Sequence, residues 1–130
     1  MSAKAILDAV QVRLMATSFT NGTRYAFGQV EADTALPLFV WDVERADTTS
    51  LFGGAERFEV VLAFTIHQSP SDGVSMHTIS AEIKSAMTAD LAATGFDRVS
   101  VQRISSGTPS YDDDSWSMTD RYRAVGHRTS

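Results

Sequence analysis

The chain contains no cysteine. That excludes a disulfide framework, a thiolate zinc site and a thiol nucleophile together, and it fits synthesis in a reducing cytoplasm. Long apolar runs are missing as well. No window approaches the roughly 18 consecutive apolar residues of a transmembrane span. The start, MSAKAILDAVQVRLM, lacks the basic head, apolar core and small-residue cleavage site of a signal peptide. Positive charge is in the minority: 11 Lys and Arg against 16 Asp and Glu give a formal charge of −5. Binding nucleic acid by phosphate neutralisation needs a basic face, so that class is disfavoured. Histidine is scarce, and His67, His77 and His127 show no metal-ligand spacing. No HExxH, GxSxG or P-loop pattern occurs. Ser105-Ser106-Gly107-Thr108 is poor in glycine and precedes no helix, which argues against a phosphate-cradling loop. No cofactor and no catalytic group is expected.

What is present is the pattern of a globular fold. The chain has 130 residues, 43% of them apolar and 21% charged. One domain over residues 1–130 is expected, large enough to bury about two thirds of its unfolded surface. Ile6, Leu7, Val10 and Leu14 recur at helical spacing from about Ala3 to Ala16. Asn21-Gly22 marks a turn, and Thr23 to Val30 reads as a short strand or extended arm. Pro37 precedes Leu38 to Arg45, where Phe39, Trp41 and Val43 alternate with Leu38, Val40, Asp42 and Glu44.

Ala46 to Glu56 reads as a long hairpin connection, with the apolar pair Leu51-Phe52 beside Gly53-Gly54. That pair either folds back on the core or presents an anchor to a partner. Arg57 to Gln68 is the strongest strand: Phe58, Val60, Leu62, Phe64 and Ile66 on one face, Glu59, Val61, Ala63, Thr65 and His67 on the other. A second helix is expected from about Val74 to Ala93, with Met76, Ile79, Ile83, Met87 and Leu91 as its stripe and Gly95 as its left-handed cap. Arg98 to Ile104 is a further strand and Ser105 to Ser115 a turn-rich loop. Trp116 to Val125 closes the chain, with Trp116, Met118, Tyr122 and Ala124 opposite Ser117, Thr119, Arg121, Arg123 and Val125.

The sum is an α+β fold: a mainly antiparallel sheet of four or five strands with two helices packed on one face. The other face holds Val61, Ala63, Thr65 and Val125, and that half-apolar surface suggests a cover, such as another subunit. Asp112, Asp113 and Asp114 point apart in an extended segment and so cannot converge on one cation, and no metal site is expected. With Arg121, Arg123 and Arg128 after them, the last strand runs from acidic to basic. Either this is a solvated turn and an edge strand with gatekeeper charges, or complementary charge meeting a neighbouring subunit.

In the order and length of these elements the chain resembles the tail terminators of long-tailed phages, the minor tail protein U-like and tail-completion proteins of siphophages. The resemblance runs from Ala5-Ile6-Leu7 and Leu14 through Arg24-Tyr25, Leu36-Pro37-Leu38-Phe39-Val40 and the strand Phe58 to Ile66. It continues through the helix from Ile79 to Leu91 and Gly95 to Trp116 and Arg121-Tyr122-Arg123. It implies a virion structural protein and not an enzyme. Its implied form is a homohexameric ring that caps the tail tube at the head-proximal end, stops its polymerisation and offers the head-joining surface. The implied partners are the chain itself, a tail tube protein and a head-completion or connector protein. DNA would pass through the lumen without specific binding, and no membrane would be involved. The implied location is the virion tail, and the host cytoplasm during assembly. Leu51, Phe52, Asp112, Asp113, Asp114, Arg121 and Arg123 are the candidate interface residues, and the roles of Leu51, Phe52 and the three aspartates are local inferences, not family hallmarks. Other neck or tail tube proteins, and a small α+β enzyme or ligand-binding domain, remain alternatives at this point.

Overall fold

Alternation of large apolar with polar side chains makes a two-faced strand, and such a face must be covered. The computed structural model, which describes residues 3–19, 23–28, 37–50, 52–69, 75–112 and 115–128, shows that cover as two helices. The elements in chain order are α1 (Ala3–Met15), β1 (Arg24–Phe27), β2 (Leu38–Ser50) and β3 (Glu56–Gln68), followed by α2 (Ser75–Met87), β4 (Arg98–Ser106), β5 (Ser110–Asp112) and β6 (Ser115–Arg128). They form a six-stranded sheet in the order β1-β2-β3-β6-β4, with β5 also paired to β6. All ladders are antiparallel except β1 beside β2, which is parallel. The expected α+β class is observed, with a mixed rather than purely antiparallel sheet.

One apolar core fills the space between helices and sheet. Ile6, Val10 and Leu14 of α1 and Met76, Ile79, Ile83 and Met87 of α2 meet Phe39, Trp41, Phe58, Val60, Leu62, Phe64, Ile66, Val99, Met118, Tyr122 and Ala124. The rings meet edge-on, tilted or stacked: Phe64 lies 5.4 Å from Tyr122 edge-on, 6.0 Å from Phe39 tilted and 6.2 Å from Trp41 stacked, between centroids. Arg13 ties the helices together. Its guanidinium donates to the carbonyls of Ala86 at 2.7 Å and Asp90 at 2.8 Å, groups that the end of α2 leaves without helical partners.

Several boundaries differ from the sequence expectation, each for a non-local reason. β2 does not stop at Arg45. It runs on to Ser50, because residues 45–50 pair in register with residues 56–61, and a bulge between Val43 and Arg45 leaves Glu44 as the extra residue. The long connection therefore shrinks to residues 51–55. α2 ends at Met87 instead of Ala93, and Leu91 leaves the helix to bridge Val99 antiparallel, its amide donating to the Val99 carbonyl at 2.9 Å. Gly95 is left-handed as expected, with φ 87°, but it serves the turn closed by Phe96 N–H on Ala93, eight residues past the helix. The expected loop after Ile104 is mostly strand. β4 continues to Ser106, and β5 follows along the same side of β6. Gly107 joins the two, its amide donating to the Thr119 carbonyl at 2.7 Å. A Cβ there would lie 2.5 Å from that same oxygen, so no side chain fits.

Candidate functional site

Two pockets are candidates for small-molecule chemistry. A recess of about 260 Å³ is lined by Lys4, Leu7, Asp8, Gln11, Phe27 and Trp41. Its charged groups answer each other, Lys4 Nζ lying 2.8 Å from Asp8 one helical turn on. A shallow cleft along residues 90–98 has its charges paired in the same way, Arg98 Nε to Asp90 at 3.1 Å. Among the described residues no group of three His, Cys, Asp or Glu could hold a metal ion. His77 and His127 are exposed, and His67 is half-buried on the open face, where burial lowers its pKa below the usual histidine value.

The polar cluster that sequence reasoning missed is internal. Asp120 is fully buried on the helix side of β6. Its carboxylate accepts from Ser80 Oγ of α2 at 2.5 Å and from Ser106 Oγ of β4 at 2.9 Å. Tyr122 is its neighbour on the same face. The phenol's pKa is pushed up to about 12, by burial first and by the Asp120 charge second, against a smaller opposing effect of Arg103. The cluster joins a helix and two strands. Its signal in the sequence was parity, since position 120 falls between the buried Met118 and Tyr122.

The chemistry at the surface is of another kind, and it lies on the open face and the two edges of the sheet. On the open face the cross-strand rows are Thr49, Arg57, His127 and Arg98; Asp47, Glu59, Val125 and Ser100; Arg45, Val61, Arg123 and Gln102; and Asp42, Ala63, Arg121 and Ser105. Glu59 accepts from Arg45 at 2.9 Å and from Arg57 at 3.1 Å. Burial on its own would raise the Glu59 pKa, but those two arginines outweigh it and hold the carboxyl below its ordinary value. The bulge residue Glu44 accepts from Arg121 Nε at 2.7 Å. Val61, at 8% exposure, is screened on a face that no described helix covers, as the stems of flanking arginines can do.

The edges are open. β1 pairs only with Leu38–Trp41, so Asp42–Ser50 of β2 has no neighbour on that side among the described residues. Its residues from Glu44 onward are all exposed. At the other end of the sheet β4 is bridged on its outer side only at Val99, among the described residues. Ile104, at the bulge of β4, stands 44% exposed. The free stretch of β2 carries Asp42, Glu44 and Asp47 against one arginine, whereas β4 carries Arg98 and Arg103 and no acid.

The expected interface residues fall unevenly on this frame. Arg121 and Arg123 lie on the open face, and Arg121 is engaged by Glu44 within the chain. Asp112 is the last residue of β5, paired with Ser115, and Asp113 and Asp114 lie outside the described residues. Leu51 also lies outside them, and Phe52 opens a 3-10 turn over Phe52–Gly54 at the end of the β2–β3 hairpin. No described helix is long and apolar enough to cross a membrane.

No protein-family model matches the sequence, and no curated protein matches it. Solved structures do share the fold. A chain from the virion of a native gene transfer agent particle superposes with a TM-score of 0.70 at 16% identity, over 97% of each chain. A second solved chain, whose name states no activity, superposes with a TM-score of 0.73 at 18% identity, over 100% of this chain and 98% of its own. At such identities the likeness is one of fold: two helices on one face of this sheet, end to end, is an architecture that a component of a virus-like particle also has.

Proposed function

We propose that the protein is a structural component of a phage-like virion that assembles head-to-tail into a ring. Within that reading we assign it to the head-proximal end of the tail tube, where the ring stops tube growth and presents a surface to the head. The observation that carries the ring is the mismatch of the two sheet edges. β2, β3, β6 and β4 alternate in direction, so β2 and β4 run opposite ways. A copy rotated about a ring axis can then set its β4 antiparallel beside β2 of its neighbour, acidic edge to basic edge. A two-fold pair would instead face acid with acid or arginine with arginine. Heterologous contacts of this kind close into rings or run on as filaments, and sheet edges supply main-chain hydrogen bonds for the join. The likeness to a gene transfer agent virion chain supports the particle setting. Six copies, a tube partner and a connector partner follow the phage resemblance, with DNA passing through the opening. A ring of this kind has no turnover to perform.

Light scattering at high protein concentration, with electron microscopy of the main species, tests the proposal. Six-fold rings with a central opening are the expected result. Open filaments would point instead to a tube protein, and a compact two-fold dimer would defeat the edge model. Arg98→Glu or Asp47→Arg alone should each weaken assembly at least tenfold. Together in one chain they should restore it, because every contact then carries the swapped charges.

A further inference from the structure

A protein of net charge −5 sets six of its 11 cationic side chains on the open face of one sheet: Arg24, Arg45, Arg57, Arg98, Arg121 and Arg123. Duplex DNA carries one negative charge per roughly 1.7 Å of its axis, and free arginines in such an array would bind it. Four of them are not free. Glu59 holds Arg45 and Arg57, and Asp47 lies 2.9 Å from Arg45 as well. Glu44 holds Arg121, and Asp90 reaches Arg98 from outside the sheet. Arg123 sits across Val61 from Arg45, close enough to bear on the Glu59 charge. The pairing is central on the face. Glu59 lies on β3 between its two arginines, and the β2 bulge is what carries Glu44 to a strand two places away.

We propose that Glu44 and Glu59 are built-in counter-ions, which occupy Arg45, Arg57 and Arg121 at the centre of the open sheet face so that duplex DNA moves across it without being gripped. The arginines give the face hydrogen-bonding groups that tolerate a phosphate backbone. The carboxylates lower the net charge that would hold it, and a phosphate must first displace a neighbour that is already bound. The inference rests on the ring reading for its setting and adds to it that the open face lines the opening. Its physical content belongs to the face itself.

The test is the double variant Glu44→Gln, Glu59→Gln, with its folding checked by thermal unfolding. It is compared with a control that removes the same charge from the helices, Asp8→Asn with Glu82→Gln. Fluorescence anisotropy with a short labelled DNA duplex is the readout. The native protein and the control should show no binding at about 50 mM salt. The double variant should bind, and its affinity should fall about 10- to 150-fold between roughly 50 and 200 mM salt, as expected for two to four phosphate contacts. The single variant Glu44→Gln, at an exposed position, should gain part of that affinity and covers the case in which the pair does not fold. Equal binding by variant and control would overturn the proposal, as would tight binding by the native protein. A gain for polyglutamate without one for duplex would overturn it too, in favour of an acidic protein partner. DNA binding gained by a protein that forms no ring would sink the ring reading and leave this inference standing. Rings that gain nothing would do the reverse.

Discussion

The two faces of β3 are made by alternate residues of one strand, yet they behave as different materials. Phe58, Val60, Leu62, Phe64 and Ile66 are all at most 5% exposed under the helices. Arg57, Glu59, Ala63, Thr65 and His67 face outward, partly exposed, and trade hydrogen bonds and charge with β2 and β6. Stability is concentrated on the first face, where apolar area leaves water. Surface ion pairs add little to it. The second face is therefore free to be shaped by what it meets, and its ionic order is better explained by interaction than by folding.

The sharpest way to break this contrast is to truncate neighbours on opposite faces. Phe64→Ala should cost about 3–5 kcal/mol, as a large ring leaves a cavity against Phe39, Trp41 and Tyr122. Thr65→Ala, one residue on, removes a half-exposed methyl and a hydroxyl contact to Thr119 at 3.1 Å and should cost about 1 kcal/mol. Urea denaturation of both variants gives the difference. Similar losses would mean that the open face is covered in solution as thoroughly as the core.

A smaller effect is expected where the dry face holds the buried Asp120 carboxylate. Ser80→Ala leaves the Asp120 carboxylate short of a donor in the interior and should cost about 1–3 kcal/mol. Ser106→Ala should cost less, since Ser106 is exposed and water can replace its hydroxyl. A reversed order in the unfolding midpoints would place the weight of the cluster on the β4 side instead of on α2.

These same residues mark the line between what was legible in the sequence and what was not. The apolar stripe of β3 and the spacing of Met76, Ile79, Ile83 and Met87 announced both layers of the fold, because periodicity is local and records burial directly. The reach of β2 past Arg45 was not legible. Ala46 to Ser50 is polar, and it is held as strand by partners at residues 56–60 across the turn. β5 was hidden for the same reason, its identity depending on β6 and on the space that Gly107 leaves. Ser80 and Ser106 stand 40 and 14 residues from Asp120, so the cluster exists only once the chain has folded. At the surface the sequence identified Arg121 and the half-apolar open face, but not Glu44 as the partner of Arg121, because a bulge decides where Glu44 points. The opposed edge charges needed the strand order before they could mean anything.

The least expected change, and the one that tests the open face alone, is with pH. His67 lies opposite Leu38 and Ser117 in the ladder, with no charged group directly across from it. Half-burial lowers its pKa below the ordinary 6.5. Between that lowered value and 6.5 the unfolded chain binds a proton that the folded chain refuses, so stability must rise with pH across the window. The His67 contribution is then complete above about pH 6.5 and is lost as pH falls through the folded pKa. Glu59 acts in the same direction but lower, below its ordinary 4.5, because its arginines hold its carboxyl down. Denaturation midpoints from about pH 7.5 to 5 should therefore decline gently in the native protein and flatten in His67→Gln. Fluorescence of Trp41 and Trp116 can follow both. An unchanged slope in His67→Gln would mean that His67 is as well solvated in the folded chain as in the unfolded one. The lower half of the open face would then be wet, and the difference between the two faces would be smaller than the burial of Val61 suggests.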